Sequence, residues 1–275
     1  MNTGNAILIL AAMVFAAGCN RSQGQIKLGE PPPDRGVVYA TTMAPVGNLG
    51  YVEVNKQKVP KIDWDGGREK PCVVVIHHAA GRNLTFQDLS DAGFENGGYR
   101  GIFENGNKDP FVAPGTPPYS GHFWIIDSKI QETFTMYHWY IREITTPDHK
   151  EVIREQHLLS GAIGWGNGNW ETNCEAINIC LDGDYDQVWP SDEILWAIAR
   201  IIVEYNAKNP IRWLVAHNEV RKEIKDGGKG PTKCPGKWFW DGGRERIIAM
   251  ADHLTSKATG ISENYPRRVR TGYAN

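Results

Sequence analysis

The 275 residues carry 30 Lys and Arg against 32 Asp and Glu, a formal charge of −2. That near-balance removes the positive field on which nucleic-acid binding depends, so no nucleic-acid partner is expected. Ten tryptophans, 30 glycines and 16 prolines predict one substantial domain with elaborations and long loops.

The first element is an apolar run over residues 6–17 (AILILAAMVFAA), too short to span a bilayer comfortably. It ends in Ala16-Ala17-Gly18-Cys19, which looks like a bacterial lipobox, although no Lys or Arg precedes the run. The pattern predicts a lipoprotein signal peptide over 1–18 and an acylated Cys19 that anchors the protein to a lipid bilayer, facing the periplasm or cell surface. A buried N-terminal helix is the alternative. Residues 19–50 are polar and proline-rich, as suits a tether.

The folded part is expected from about Tyr51. Val73 to Ile76 is a β-branched run behind Pro71, consistent with a strand buried on both faces that delivers His77 and His78 at its end. Residues 84–120 are rich in Gly, Pro and Asn and predict a long loop. His122 to Ile126 is a second strand, and the charged stretch Ile141 to Gln156 is expected to be a solvated surface insertion. From Ala176 to Asp182 the residues alternate, with Ile177, Ile179 and Leu181 opposite Asn178, Cys180 and Asp182. Pro190-Ser191 caps a helix whose apolar stripe runs Ile194, Leu195, Ile198, Ile201, Ile202, Tyr205, and Asn209-Pro210 closes it. Ile211 to Ala216 predicts a strand ending at His217. Cys234-Pro235-Gly236 is expected to step into a helix, and a last helix spans about Gly242 to Thr255 before a loose tail over 259–275. Strands mixed with helices give an α/β or α+β sheet fold.

His77, His217 and Cys234 each stand at the end or start of a predicted element. A lone strand-end histidine is more often structural than a ligand, but two imidazoles and a thiolate together suit zinc. Three protein ligands leave a fourth position for water, which points to a hydrolase. His77 and His78 are adjacent on a strand and point to opposite faces, so only one can face a given metal. Besides Cys19 the cysteines are Cys72, Cys174, Cys180 and Cys234. With Cys234 on a metal, at most one bridge can form among the others, and Cys72 with Cys174 is the pair to test.

Over roughly residues 70–255 the chain resembles the zinc-dependent N-acetylmuramoyl-L-alanine amidases of the type-2 class, relatives of peptidoglycan recognition proteins and phage T7 lysozyme. The resemblance rests on Val-Ile-His77-His78, His122-Phe123, Ala176-Ile-Asn-Ile-Cys-Leu-Asp-Gly183, and His217 through Cys234-Pro235-Gly236. It implies a single amidase domain over 51–258, with a mixed central β-sheet flanked by helices. It also implies Zn2+ on His77, His217 and Cys234, and cleavage of the amide between N-acetylmuramic acid and L-alanine in peptidoglycan or muropeptides. His78 takes a structural role.

Elsewhere the chain departs from the pattern. The Tyr that precedes the His-Phe pair in the phage-type enzymes is Gly121 here, with Tyr119 two residues earlier. The strand Glu of the cytoplasmic recycling amidase is Cys180. Thr232, two residues before the Cys ligand, matches the recognition-protein amidases and is an oxyanion donor candidate, with Lys233 beside it. Asp182 and His122 both remain candidates for the acid/base, the first also readable as a turn residue and the second as a partner to a ligand. Trp165, Asn167, Asn169 and Trp170 form a candidate glycan or stem-peptide wall, although tryptophans are more often simply packed. A non-catalytic muropeptide-binding module is the competing function. A zinc peptidase finds no His-Glu-x-x-His helix in its favour.

Overall fold

The computed structural model describes residues 26–34, 37–39, 44–45, 51–54, 57–60, 70–84, 88–89, 121–126, 129–134, 136–147, 150–157, 164, 166–222 and 231–269. In chain order the strands are β1 (Val37–Tyr39), β2 (Ala44–Pro45), β3 (Tyr51–Val54), β4 (Gln57–Pro60), β5 (Val73–His78), β6 (Gly121–Ile126), β7 (Lys129–Phe134), β8 (Trp139–Thr145), β9 (Lys150–Gln156), β10 (Ala176–Leu181) and β11 (Trp213–Ala216). The helices are α1 (Trp170–Glu175), α2 (Asp192–Asn206), α3 (His217–Val220) and α4 (Gly243–Thr255), with a 3-10 turn at Lys237–Phe239. Among these helices none is long and apolar enough to cross a membrane. The signal peptide, Cys19 and most of the 84–120 loop lie outside the described residues.

Six strands form the central sheet in the order β1-β9-β8-β10-β5-β11. The β8–β9 pair is antiparallel and the other four are parallel, so the sheet is mixed. α2 connects β10 to β11 by crossing over β5, the connection that parallel strands require. Its N-terminus is where the sequence puts it: Ser191 accepts the Ile194 N–H at 3.4 Å. Strand alternation sorts the side chains. Val74, Ile76, Ile177, Ile179, Leu181, Leu214 and Ala216 pack with α2 and α4 in the main core. Each Val, Ile or Leu among them contributes about 1.5–3 kcal/mol on burial. The opposite face carries His77, Asn178, Cys180, Asp182 and Tyr140, polar groups that need partners.

Three expectations are corrected. The charged stretch Ile141 to Gln156 is not a surface insertion: it makes β8 and β9, inside the central sheet. Its charges are spent across the hairpin, where Arg142 pairs with Glu155 and Lys150 with Glu143. Cys234 does not open a long helix. A cis peptide bond joins it to Pro235, Gly236 takes φ 107°, and only the 3-10 turn follows. Finally, both supposedly loose ends are partly docked. Ser262 bridges to β11 at Trp213, Tyr265 is buried, and the Val269 N–H donates to the Glu219 carbonyl at 2.7 Å.

At the other end, residues 26–34 lie along β9 and α2. Leu28 packs on the core, and Asp34 accepts from Arg154 at 2.7 Å with Arg200 3.7 Å away. Arg154 is almost fully buried and also holds Glu204 at 2.5 Å. Asp34→Ala removes one partner of a half-exposed pair, worth about 1 kcal/mol. Tryptic cleavage after Lys27 is therefore expected to accelerate about fivefold while the overall unfolding midpoint barely moves. An unchanged cleavage rate would mean that Leu28 alone holds the segment.

Candidate metal centre

Parallel register brings the site together. Cys180 of β10 stands opposite His77 of β5, and Tyr140 of β8 stands opposite Cys180. On the far side Ala216 pairs with Ile76, so His217, the next residue, arrives beside His77. The two imidazole centroids are 4.5 Å apart. Cys234 comes from the loop after α3, and the donor atoms of His77, His217 and Cys234 all lie within 4.8 Å of one another.

Each of the three is held from behind. The His78 N–H donates to Cys234 Sγ at 3.2 Å. Asn218 donates its N–H to the Cys234 carbonyl at 3.0 Å and its amide nitrogen to the Thr232 carbonyl at 2.6 Å. His217 starts a one-turn helix whose entry is pinned by Glu219, which accepts the Ala216 N–H at 2.8 Å and Arg244 at 2.6 Å. His77 Nε2 faces Asn178 Oδ1 at 3.4 Å, and the Asn178 amide nitrogen is fixed by the carbonyls of Met136 and Gly164. Gly166 has to be small, since a Cβ there would stand 3.1 Å from the His77 ring.

The donor set fits zinc. His77 Nδ1 is buried without a hydrogen-bond partner, which is the lone pair that remains if Nε2–H points at Asn178. Burial pulls the His77 imidazole down to about 3, so it stays neutral and able to ligate. Burial likewise pushes the Cys234 thiol up to about 12 against the lowering effect of the His78 N–H. Only a cation would favour the thiolate at neutral pH, and a bound metal is such a cation. His78 belongs to the helix side: its Nδ1 accepts the Tyr185 N–H at 3.1 Å.

The remaining sequence candidates divide. Thr232 Oγ1 accepts the Cys234 N–H at 3.2 Å, so it shapes the ligand loop and keeps its own O–H to donate. Both oxygens of Asp182 are taken, by the Tyr140 hydroxyl at 2.6 Å and the Asn83 N–H at 3.0 Å, which is the turn-residue role. His122 lies on β6 in a separate three-stranded sheet, β2-β6-β7, and its side chain is outside the described residues. Asn167 is fully buried, with its side-chain amide acting on the His77 imidazole. Asn169 caps α1 through Thr172 and donates to the Val220 carbonyl, so its amide is used structurally. Trp170 begins α1, while its side chain and all of Trp165 lie outside the described residues. Cys72, Cys174, Cys180 and Cys234 are thiols, with no disulfide among the described residues.

Two residues of the site carry no clear signal in the sequence. Alternation gives Asn178 a face but no role. Tyr137 has no role in the sequence pattern, yet its ring centroid is 5.1 Å from that of His77. The sequence reading sets the family's Tyr position at Gly121, before His122; in the fold a Tyr-His pair, Tyr137-His138, stands directly before β8. The usable signal was Tyr137-His138-Trp139-Tyr140-Ile141 ahead of a second strand, a pattern that β6 and β7 imitate.

The N-acetylmuramoyl-L-alanine amidase family model matches residues 67–237. Among curated proteins none matches the chain. Of solved structures, the amidase LysC from Clostridium intestinale is 17% identical over 71% of this chain and 94% of its own, with a TM-score of 0.40. The Ph2119 endolysin from a Thermus scotoductus bacteriophage is 19% identical over 65% and 86%, TM-score 0.38. Drosophila PGRP-LB is 15% identical over 73% and 87%, TM-score 0.36.

Partners that orient a ligating imidazole typically contribute 10–100-fold in metal affinity. Asn178→Ala is therefore expected to weaken zinc binding by that order in a chelator competition, with the circular dichroism spectrum unchanged. Equal affinity would show that Asn178 serves only the β8–β10 packing.

Proposed function

Because the chain belongs to the N-acetylmuramoyl-L-alanine amidase family, we propose that it hydrolyses the amide between N-acetylmuramic acid and L-alanine in peptidoglycan or muropeptides, with zinc on His77, His217 and Cys234. The observation that carries this reading is the convergence of those three donors within 4.8 Å, a set chemically suited to zinc with a fourth position for water. Zinc, when bound, polarises a carbonyl and makes water acidic enough to attack at neutral pH.

The protein's own groups supply the rest. His77 and Cys234 are held by Asn178 and by the His78 N–H, so the centre is fixed before substrate arrives. Tyr137 and Thr232 are the hydroxyl donors for the developing oxyanion: the first lies against the His77 ring and the second is two residues from Cys234. Asp182, engaged at both oxygens, anchors the turn after β10 rather than moving a proton. Acylation of Cys19 would place this chemistry at a membrane surface, and a Cys19→Ala variant that still partitions with membranes would end that part of the reading.

Digestion of purified peptidoglycan with zinc-loaded protein is expected to release stem peptides beginning at L-alanine and leave the glycan intact by mass spectrometry. The Cys234→Ala control is expected to release nothing. Binding of muropeptides without release by either protein would replace the amidase with a recognition module. Loss of one oxyanion donor typically costs 10²–10³ in rate. Tyr137→Phe is accordingly expected to lower kcat about 100-fold at unchanged zinc content, and a variant as fast as wild type would remove Tyr137 from the chemistry.

A further inference from the structure

At the carboxyl ends of β8 and β10, on the face packed by α2, lies a cavity of about 610 Å³. It lies one turn away from the metal centre. Tyr185, one of its lining residues, donates its N–H to His78 and presses its carbonyl against Gly236, where a Cβ would come within 2.0 Å. The two sites are thus neighbours across one turn, residues 182–186.

The lining is of two kinds. Trp189 stands at the rim 49% exposed, a large apolar plate open to solvent. It is backed by Trp238 at 6.4 Å between centroids, so the plate is supported rather than free to fold away. Around it are Arg82, Asn83, Glu143 and Lys150, whose side chains carry hydrogen-bond donors and acceptors. Asn83 is set in place by its N–H to Asp182, and the Glu143 carboxylate by Lys150 at 2.7 Å. An aromatic plate facing a polar ring complements a pyranose, which has an apolar C–H face and hydroxyls at its edge. The volume lies within the range of small-molecule sites.

We propose that this cavity is a saccharide subsite that takes N-acetylhexosamine units of the glycan strand beyond the one bearing the scissile amide. It rests on the amidase reading for its register with the reaction, and on Trp189, Arg82 and the shared Tyr185 turn for its chemistry. Such a subsite favours glycan-linked peptidoglycan over a released single muropeptide.

The test is calorimetric titration with the peptide-free β-1,4 tetramer of N-acetylglucosamine. Wild type and Cys234→Ala are expected to bind it alike, and Trp189→Ala at least tenfold more weakly. Arg82→Ala, a change at an exposed side chain, is expected to weaken it too and guards against a misfolded Trp189 variant. In hydrolysis, Trp189→Ala is expected to raise KM about tenfold on glycan polymer and to leave the monomeric muropeptide unchanged. No tetramer binding by wild type, or equal binding by both variants, would overturn the subsite. Tetramer binding without stem-peptide release would uphold the subsite and sink the amidase reading alone.

Discussion

The parallel pairing of β5 with β10 on one side and β11 on the other is what every feature of the metal end depends on. It sets His77 level with Cys180 and beside His217, and it sends His78 through to the helix side. Two adjacent histidines therefore do different work because a strand alternates. His77 faces the metal donors. His78 latches the Tyr185 turn with its ring and Cys234 with its backbone N–H. Asp184 and Asp186 lie close to His78, but this trio is a poor cation site. With Nδ1 accepting from Tyr185, Nε2 must carry the proton of the neutral ring, and it points at Asp186 from 3.8 Å. No imidazole lone pair is left to give.

A sheet face made of His, Asn, Cys, Asp and Tyr is costly to bury unless its groups find partners. Asn178 meets this by bonding two carbonyls and the ligand ring together. Glu219 meets it more heavily. Fully buried, its carboxylate accepts from the Ala216 N–H, Arg244, Trp240 and Arg268. A buried pair of this sort is weak grounds for stability, since removing both charges often costs nothing. What it does here is local: it fixes where β11 ends and α3 begins, and His217 is the residue at that junction. The docked C-terminal segment supplies Arg268 and Glu263 to the same network, so the chain beyond α4 supports the site from a distance.

The elements with one strong local pattern were legible in the sequence. β5, β10, β11, α2 and α4 all emerge from apolar periodicity and caps, and His77 and His217 follow from their ends, whereas Cys234 sits in a loop. What was not legible depends on partners far along the chain. The β8–β9 hairpin has charges at most outward positions, and only pairing with β10 and cross-strand ion pairs make it part of the sheet. β6–β7 has the same His-aromatic opening and hairpin spacing, so no local signal says which hairpin joins the main sheet. Choosing β6 sets the family's Tyr position at Gly121 and passes over Tyr137. Asp34 and Val269 were equally out of reach, because a polar segment docks by finding particular arginines or carbonyls, not by its own periodicity.

Cys180, like Gly121, departs from the family pattern. Beside Tyr137 it is a thiol with a place in the geometry. Its Sγ–H reaches toward the Leu181 carbonyl at 3.8 Å. Burial pushes the thiol well above its usual range, so it stays protonated. A carboxylate at this fully buried position would demand a cation or several donors. A thiol demands neither, because it buries as a small apolar group with weak hydrogen-bonding capacity. Cysteine at 180 is therefore compatible with a hydroxyl held over the His77 ring, and the departure at this position is not by itself a sign of a dead site.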